Sequence, residues 1–358
     1  MAKLQQLSFL MCAVVHLVAG VPFLKASNSG GTGRVDTHIH AIPLSYSKVL
    51  VAAGLTDIPT WSLSATKSFL QETGASIGIL SISAPGVSVV GVGDEARSLA
   101  RSLNVEMASY LSDKNSTAAK LGFFGTLPDW QDVEGTLAEL DYLYTEQKLC
   151  NGVAIFTTYG GKLLGDPAYA PIWARLQKYK ALIFIHPAGL DVVPQLIGPG
   201  LPQYVIDFLW TTTRTATDLV MTGTLSAAPD VDVILAHAGG ALPYAGTRAI
   251  ASLLAPSVAD LVPIDIAEAQ RQFGRFYYDT ALSTSTAQLD GMLDFAGAAQ
   301  VGFGSDFPYA PTQVVDRVAD ALKQFQLLNP RGPLLANPVL RRNSLKLLNK
   351  HSLGRLFR

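Results

Sequence analysis

From residue 34 onward, short runs rich in Val, Ile, Leu and Phe alternate with longer segments in which apolar residues recur every three to four positions. Eight such runs begin near Val35, Ser76, Leu121, Gly152, Ala181, Val231, Phe276 and Val301. A short, continuous apolar run bounded by turn residues fits a strand buried on both faces. The 3.6-residue periodicity of segments such as DEARSLARSLNVEMASYL and DPAYAPIWARLQKYK is that of helices covering such strands. Repeated strand–helix units build a parallel sheet, and eight of them in roughly 250 to 300 residues predict an α/β fold of the (β/α)8, TIM-like barrel type. The alternative, a doubly wound open sheet, lacks support because no G-x-G-x-x-G opens a helix after the first strand. Long connections over residues 41–61 and 187–203 follow the first and fifth strands, where a barrel gathers its functional loops. The tail RRNSLKLLNKHSLGRLF predicts a final amphipathic helix.

Composition agrees with a buried sheet, since 49% of the 358 residues are apolar and only 15% charged. With 27 basic against 28 acidic residues and no long block of either sign, nothing points to nucleic acid. The N-terminus differs from the rest: Lys3 precedes the uncharged run Leu7 to Leu24 and the small polar stretch KASNSGGTG. Residues 1–25 therefore predict an apolar leader, either a signal peptide processed near Ala19 and Gly20 or a signal anchor, ahead of one barrel domain over 34–358. His16 and Pro22 weaken a spanning segment. This reading implies entry into the secretory pathway, to the ER or the exterior, and membrane contact only through an uncleaved leader; a cytosolic protein is the alternative. Cys12 and Cys150 are the only cysteines, so no disulfide framework supports an oxidising compartment. The triplet Asn115-Ser116-Thr117 is a glycosylation acceptor pattern that also occurs by chance.

Five polar residues end apolar runs: His38 and His40 in RVDTHIH, His186 in ALIFIHPAG, His237 in VDVILAHAGG and Asp306 in VGFGSDFPY. The chain has only six histidines, so four at strand ends argue for a site. Residues i and i+2 of a strand share a face, which lets His38 and His40 both point into a barrel mouth. Buried imidazoles carry a polar cost that a metal removes by taking a lone pair from each. His38, His40, His186 and Asp306 make a His3Asp set suited to one divalent ion, Zn²⁺ first, with Mn²⁺ or Fe²⁺ also compatible. Three histidines, an aspartate and a water fill such a site, which leaves His237 as an acid/base beside it. The bland alternatives are core histidines bonded to carbonyls and an Asp306 that merely caps the SDFP turn.

Together DTHIH, GVAIFTTYGGKLLGDPAYAPIWARL, HPAG, AHAGGALPY and GSDFPY resemble the metal-dependent decarboxylase branch of the amidohydrolase superfamily, typified by aminocarboxymuconate-semialdehyde decarboxylase. The resemblance runs over about residues 35–345 and is strongest to fungal 6-methylsalicylate decarboxylases of polyketide pathways. It implies that His38, His40, His186 and Asp306 hold the metal, that His237 and Asp306 are catalytic, and that Arg248 reaches a neighbouring subunit's carboxylate substrate in a homodimer. It also implies a carboxy-lyase acting on an ortho-hydroxybenzoate, 6-methylsalicylate giving 3-methylphenol and CO₂. A small aromatic acid needs an apolar pocket with a few polar groups, for which Tyr46, Trp61, Phe156, Phe307 and Tyr309 are the candidates. Two rivals stand beside this reading: a metal-dependent hydrolase of a lactone or amide on the same barrel, and a non-catalytic barrel that binds an aromatic acid.

Overall fold

The computed structural model describes residues 33–112, 119–190, 196–310, 312–354 and 357. The leader and the Asn115 triplet lie outside them. The strands are β1 (Arg34–Ala41), β2 (Ala75–Ile82), β3 (Lys120–Phe123), β4 (Gly125–Thr126), β5 (Val153–Phe156), β6 (Thr158–Tyr159), β7 (Lys162–Leu163), β8 (Leu182–His186), β9 (Asp232–Leu235) and β10 (Tyr277–Tyr278). β1, β2 and β3 form one parallel ladder, and β10, β9, β8, β5 and β4 form another. Only Phe124 separates β3 from β4, and its N–H donates to Leu80 O, so the two ladders are one surface interrupted at a single residue. The eighth predicted run closes the ring through parallel bridges Tyr278–Val301, Asp36–Phe303 and Ile39–Phe307. A (β/α)8 barrel results, with helices covering the outside.

Val35, Ile77, Ile79, Phe124, Leu182, Phe184, Ile234 and Ala236 pack together with Leu347, Leu348 and Phe357 as the inner cluster. Each fully buried side chain of this size contributes about 1.5–3 kcal/mol, so the barrel is filled rather than hollow. The helix Asn337–Lys350 supplies Leu347 and Leu348 to that cluster, as the amphipathic tail predicts. Its last residue Lys350 and the following His351 bind the carboxylate of Asp232, the first residue of β9, which marks that end of the barrel as the one away from the strand C-termini. The outer helices pack the larger apolar cluster, and side chains cap their first turns: Ser62, Asp132 and Asp265 accept from backbone N–H groups, and Ser285 with Gln288 forms a capping box.

Two features depart from expectation. The connection 41–61 contains the helix Leu44–Ala52, anchored by buried Tyr46 and Leu50, where only a loop was expected. β6 and β7 form an antiparallel hairpin after β5, turned by Gly160 and Gly161 at φ 56° and 73°. Two glycines with positive φ fit the type I′ turn that joins such ribbons.

Candidate metal centre

All five predicted residues meet at the C-terminal ends of the strands. β1 places His38 and His40 on one face, β8 ends at His186, His237 follows β9 by two residues, and Asp306 follows the eighth run. His38 Nε2 lies 3.2 Å from His40 Nε2. Asp306 Oδ1 is 3.3 Å from the first and 2.9 Å from the second. His186 and His237 face the same point, with rings 5.0 Å from that of His38. His38, His186, His237 and Asp306 each offer a ligand atom within 4.8 Å of the others. The phenyl ring of Phe184, in the inner cluster, sits 5.0 Å from His38 and forms the apolar floor.

The loops reach this geometry at a backbone cost. Of the six described non-glycine residues with positive φ, four (His237, Ala238, Leu282 and Asp306) lie on the loops after β9, β10 and the eighth run. Left-handed conformations cost roughly 1–2 kcal/mol at such residues, and they persist where surrounding structure dictates them. In AHAGG, Gly240 has φ 66°, and a Cβ there would meet Leu209 O at 2.1 Å, so the glycine is a requirement of the turn that aims His237.

Burial dominates the electrostatics. It pushes His40, His186 and His237 below the usual imidazole range, which favours neutral rings able to donate lone pairs. His38 moves the other way: burial opposes its charge, but the Asp279 and Asp306 carboxylates outweigh it and raise it to about 10. Asp306 is held well below the carboxylate range, burial being outweighed by His38 and His40. The centre thus demands positive charge, which a cation meets. His186 Nδ1 donates to Pro187 O at 2.7 Å, which leaves Nε2 as a lone pair, and the buried Nε2 atoms of His186 and His237 have no hydrogen-bond partner. Orphaned nitrogens converging on a carboxylate fit a divalent ion, whose tetrahedral ligand atoms stand about 3.4 Å apart on bonds of about 2.1 Å. His237, expected beside the ligand set, faces its centre directly, with Nε2 3.8 Å from Asp306 Oδ2.

The aromatic candidates divide. Tyr309 stands over His40 at 5.0 Å, edge to face, and its hydroxyl donates to Ser83 Oγ. Phe156 is paired with His186 across β5 and β8, at the rim. The other three make packing contacts of their own. Phe307 stacks on Phe69 of the helix Leu63–Glu72 at 4.3 Å, while its carbonyl accepts from His40 N–H, which ties it to the strand that carries two of the histidines. Trp61 packs on Tyr110 at 5.9 Å, the last residue of the helix Asp94–Tyr110. Tyr46 is fully buried, its hydroxyl 3.0 and 2.9 Å from the carbonyls of Ser83 and Gly86, so it shapes the loop after β2 from beneath. Arg248 is exposed on the helix Leu242–Ser252. Two carboxylates escaped the sequence reading. Asp279, just after β10, contacts His38 Nδ1 at 2.8 Å, and Asp36 accepts from His38 N–H and Ser305 N–H. The signal for Asp279 was present, because it ends the run RFYYD as His186 ends its own.

The amidohydrolase family model matches residues 35–350. A 6-methylsalicylic acid decarboxylase from Penicillium expansum is 36% identical over 301 residues, 82% of this chain and 90% of that protein. Another, from Aspergillus aculeatus, is 35% identical over 327 residues, covering 88% and 95%. Among solved structures, a 5-carboxyvanillate decarboxylase from Novosphingobium aromaticivorans, complexed with manganese and 4-hydroxy-3-methoxy-5-nitrobenzoic acid, superposes with a TM-score of 0.76 at 18% identity over 92% of this chain and all of that one. The closed barrel, the histidine–aspartate centre and a match spanning the barrel lead to one conclusion: the chain belongs to the amidohydrolase family.

Proposed function

We propose that the protein is a metal-dependent, non-oxidative decarboxylase that converts 6-methylsalicylate to 3-methylphenol and CO₂. The observation that carries this reading is the buried cluster of His38, His40, His186, His237 and Asp306 on the barrel mouth, in a chain 35–36% identical to 6-methylsalicylic acid decarboxylases. His38, His40, His186 and Asp306 would hold one divalent ion, Zn²⁺ foremost; manganese in the 5-carboxyvanillate decarboxylase structure makes Mn²⁺ the alternative. Bound there, the ion supplies Lewis-acid stabilisation of negative charge on substrate oxygens.

The protein's own groups do the rest. Loss of CO₂ from the intact ring would leave an aryl carbanion, so a proton must first reach the carbon that bears the carboxylate. Asp306 and His237, both buried and facing one point, are the groups placed to carry it. The protonated ring then expels CO₂ as the C–C bond electrons restore aromaticity. Phe156 and Tyr309 border the space in which the ring must lie. Arg248 is read as the carboxylate clamp donated by a second copy; exposed Tyr244, Leu254 and Leu261 in the same region support a homodimer. Among the described residues no helix is long and apolar enough to cross a membrane. The leader is read as a secretory signal, with a cytosolic protein as the alternative, ahead of one domain over 34–358.

Incubating purified, metal-loaded protein with 6-methylsalicylate tests this. Equal amounts of 3-methylphenol and CO₂, lost on chelation and regained with Zn²⁺ or Mn²⁺, are expected. Full turnover without metal, or hydrolysis of a lactone with no decarboxylation, would overturn it.

A further inference from the structure

We propose that Asp279 is the positioning residue that holds a proton on His38 Nδ1 and so presents Nε2 as the nitrogen that meets the metal; this rests on the metal reading above. Asp279 and His38 are both fully buried, with Oδ2 2.8 Å from Nδ1. The other oxygen, Oδ1, accepts from His237 N–H at 3.0 Å and from Ala281 N–H at 2.9 Å. One carboxylate therefore ties the backbone of the acid/base residue to the ring of a ligand. Two backbone donors occupy Oδ1, so only Oδ2 is left for His38, and it can only accept.

His38 has little freedom to answer differently. Its ring lies nearly parallel to that of His237 at 5.0 Å and edge-on to Phe184 at 5.0 Å. Gly304 closes the remaining side: a Cβ there would stand 2.8 Å from His38 Cβ and 3.0 Å from Asp279 Cβ and Cγ. Neither of the other ligand histidines has such a partner. His186 Nδ1 bonds a carbonyl, and His40 Nδ1 is buried without a hydrogen bond. Asp279 is the carboxylate behind a metal-ligand nitrogen, a position that sets tautomer and ring orientation.

The substitution Asp279→Asn isolates this role. Its amide oxygen would keep the two backbone donors, since turning the NH₂ toward them would oppose donor to donor. The NH₂ must then face His38 Nδ1, which becomes an acceptor, so that the ring keeps a proton only on Nε2. ¹⁵N-histidine NMR of the metal-free protein reads this directly: His38 carries an Nδ1 proton in the wild type, and carries one only on Nε2 in D279N. Divalent-metal titration should show affinity reduced about 10–100-fold. Asp279→Glu, which retains the charge, should recover the Nδ1 proton. A wild-type His38 without an Nδ1 proton overturns the proposal whether or not the variants fold, as does a D279N protein with wild-type tautomer and affinity. Wild-type protein that binds no divalent ion overturns the metal reading instead, and the tautomer then decides the role of Asp279 by itself.

Discussion

Gly304→Ala and Gly291→Ala add the same methyl group to one barrel and should have opposite effects. At Gly304 the new carbon would sit 2.8 Å from His38 Cβ and 3.0 Å from both Cβ and Cγ of Asp279. Carbon contacts settle at about 3.5–4.0 Å, so the overlap approaches 1 Å. The crowded atoms are next to the backbone rather than at the ends of flexible side chains, and relief requires β1, Asp279 or the eighth run to move. Overpacking of this kind costs about 1–3 kcal/mol, a loss of roughly 2–10 °C in Tm for the metal-free protein. Because the atoms displaced belong to His38 and its carboxylate, metal affinity should fall with stability, by about 10–100-fold. Gly291, inside the helix Thr286–Phe295, has no atom within 4 Å of the same added carbon. Alanine there removes the glycine penalty in a helix and should stabilise by about 0.5–1 kcal/mol. Thermal unfolding of the two metal-free variants, followed by titration with Zn²⁺, reads both numbers. A Gly304→Ala protein as stable as Gly291→Ala, with wild-type metal affinity, would refute the packing argument.

Three other outcomes are expected. His237→Ala should retain metal and lose about 10²–10⁴-fold in turnover, the worth of a positioned acid/base; loss of the metal itself in elemental analysis would move His237 into the ligand set. Arg248→Ala should raise KM far more than it lowers kcat, and unchanged kinetics would remove the subunit-crossing clamp. Asp232→Asn tests the opposite end of the barrel. Burial opposes the charge of Asp232, but His351 and Lys350 prevail and hold its pKa below the ordinary 3.8. A carboxylate so depressed contributes stability above its unfolded pKa, and that contribution is lost as pH falls through the folded value. The variant should therefore be less stable at pH 7 by about 1.5–3 kcal/mol, the gap narrowing below pH 3.8. A gap in denaturant midpoint independent of pH would contradict the assignment, and decarboxylase activity should be unchanged.

The barrel was legible because its strands are apolar runs, and the site was legible because four of the eight runs end at its polar residues. His38, His40, His186, His237 and Asp306 could be collected from such ends without knowing how the ring closes, although closure rests on isolated bridges at Val301 and Phe303 rather than on a full strand. Side-chain direction in loops was not legible. The rings of Phe307 and Trp61 lie against Phe69 and Tyr110, partners on outer helices that no local pattern reveals. Asp279 was overlooked for a related reason: an aspartate before a turn has an ordinary local explanation, and only the fold brings His38, 241 positions away, against it. The hairpin after β5 was signalled by Gly160 and Gly161, yet its strands of two residues are too short to show alternation.

The most direct test of the central claim follows 6-methylsalicylate labelled with ¹³C in its carboxylate, incubated with the Zn²⁺-loaded protein in D₂O. The label should leave as CO₂ while 3-methylphenol gains one deuterium at the carbon that held it. Label retained in the aromatic acid by fully metallated protein would contradict the account.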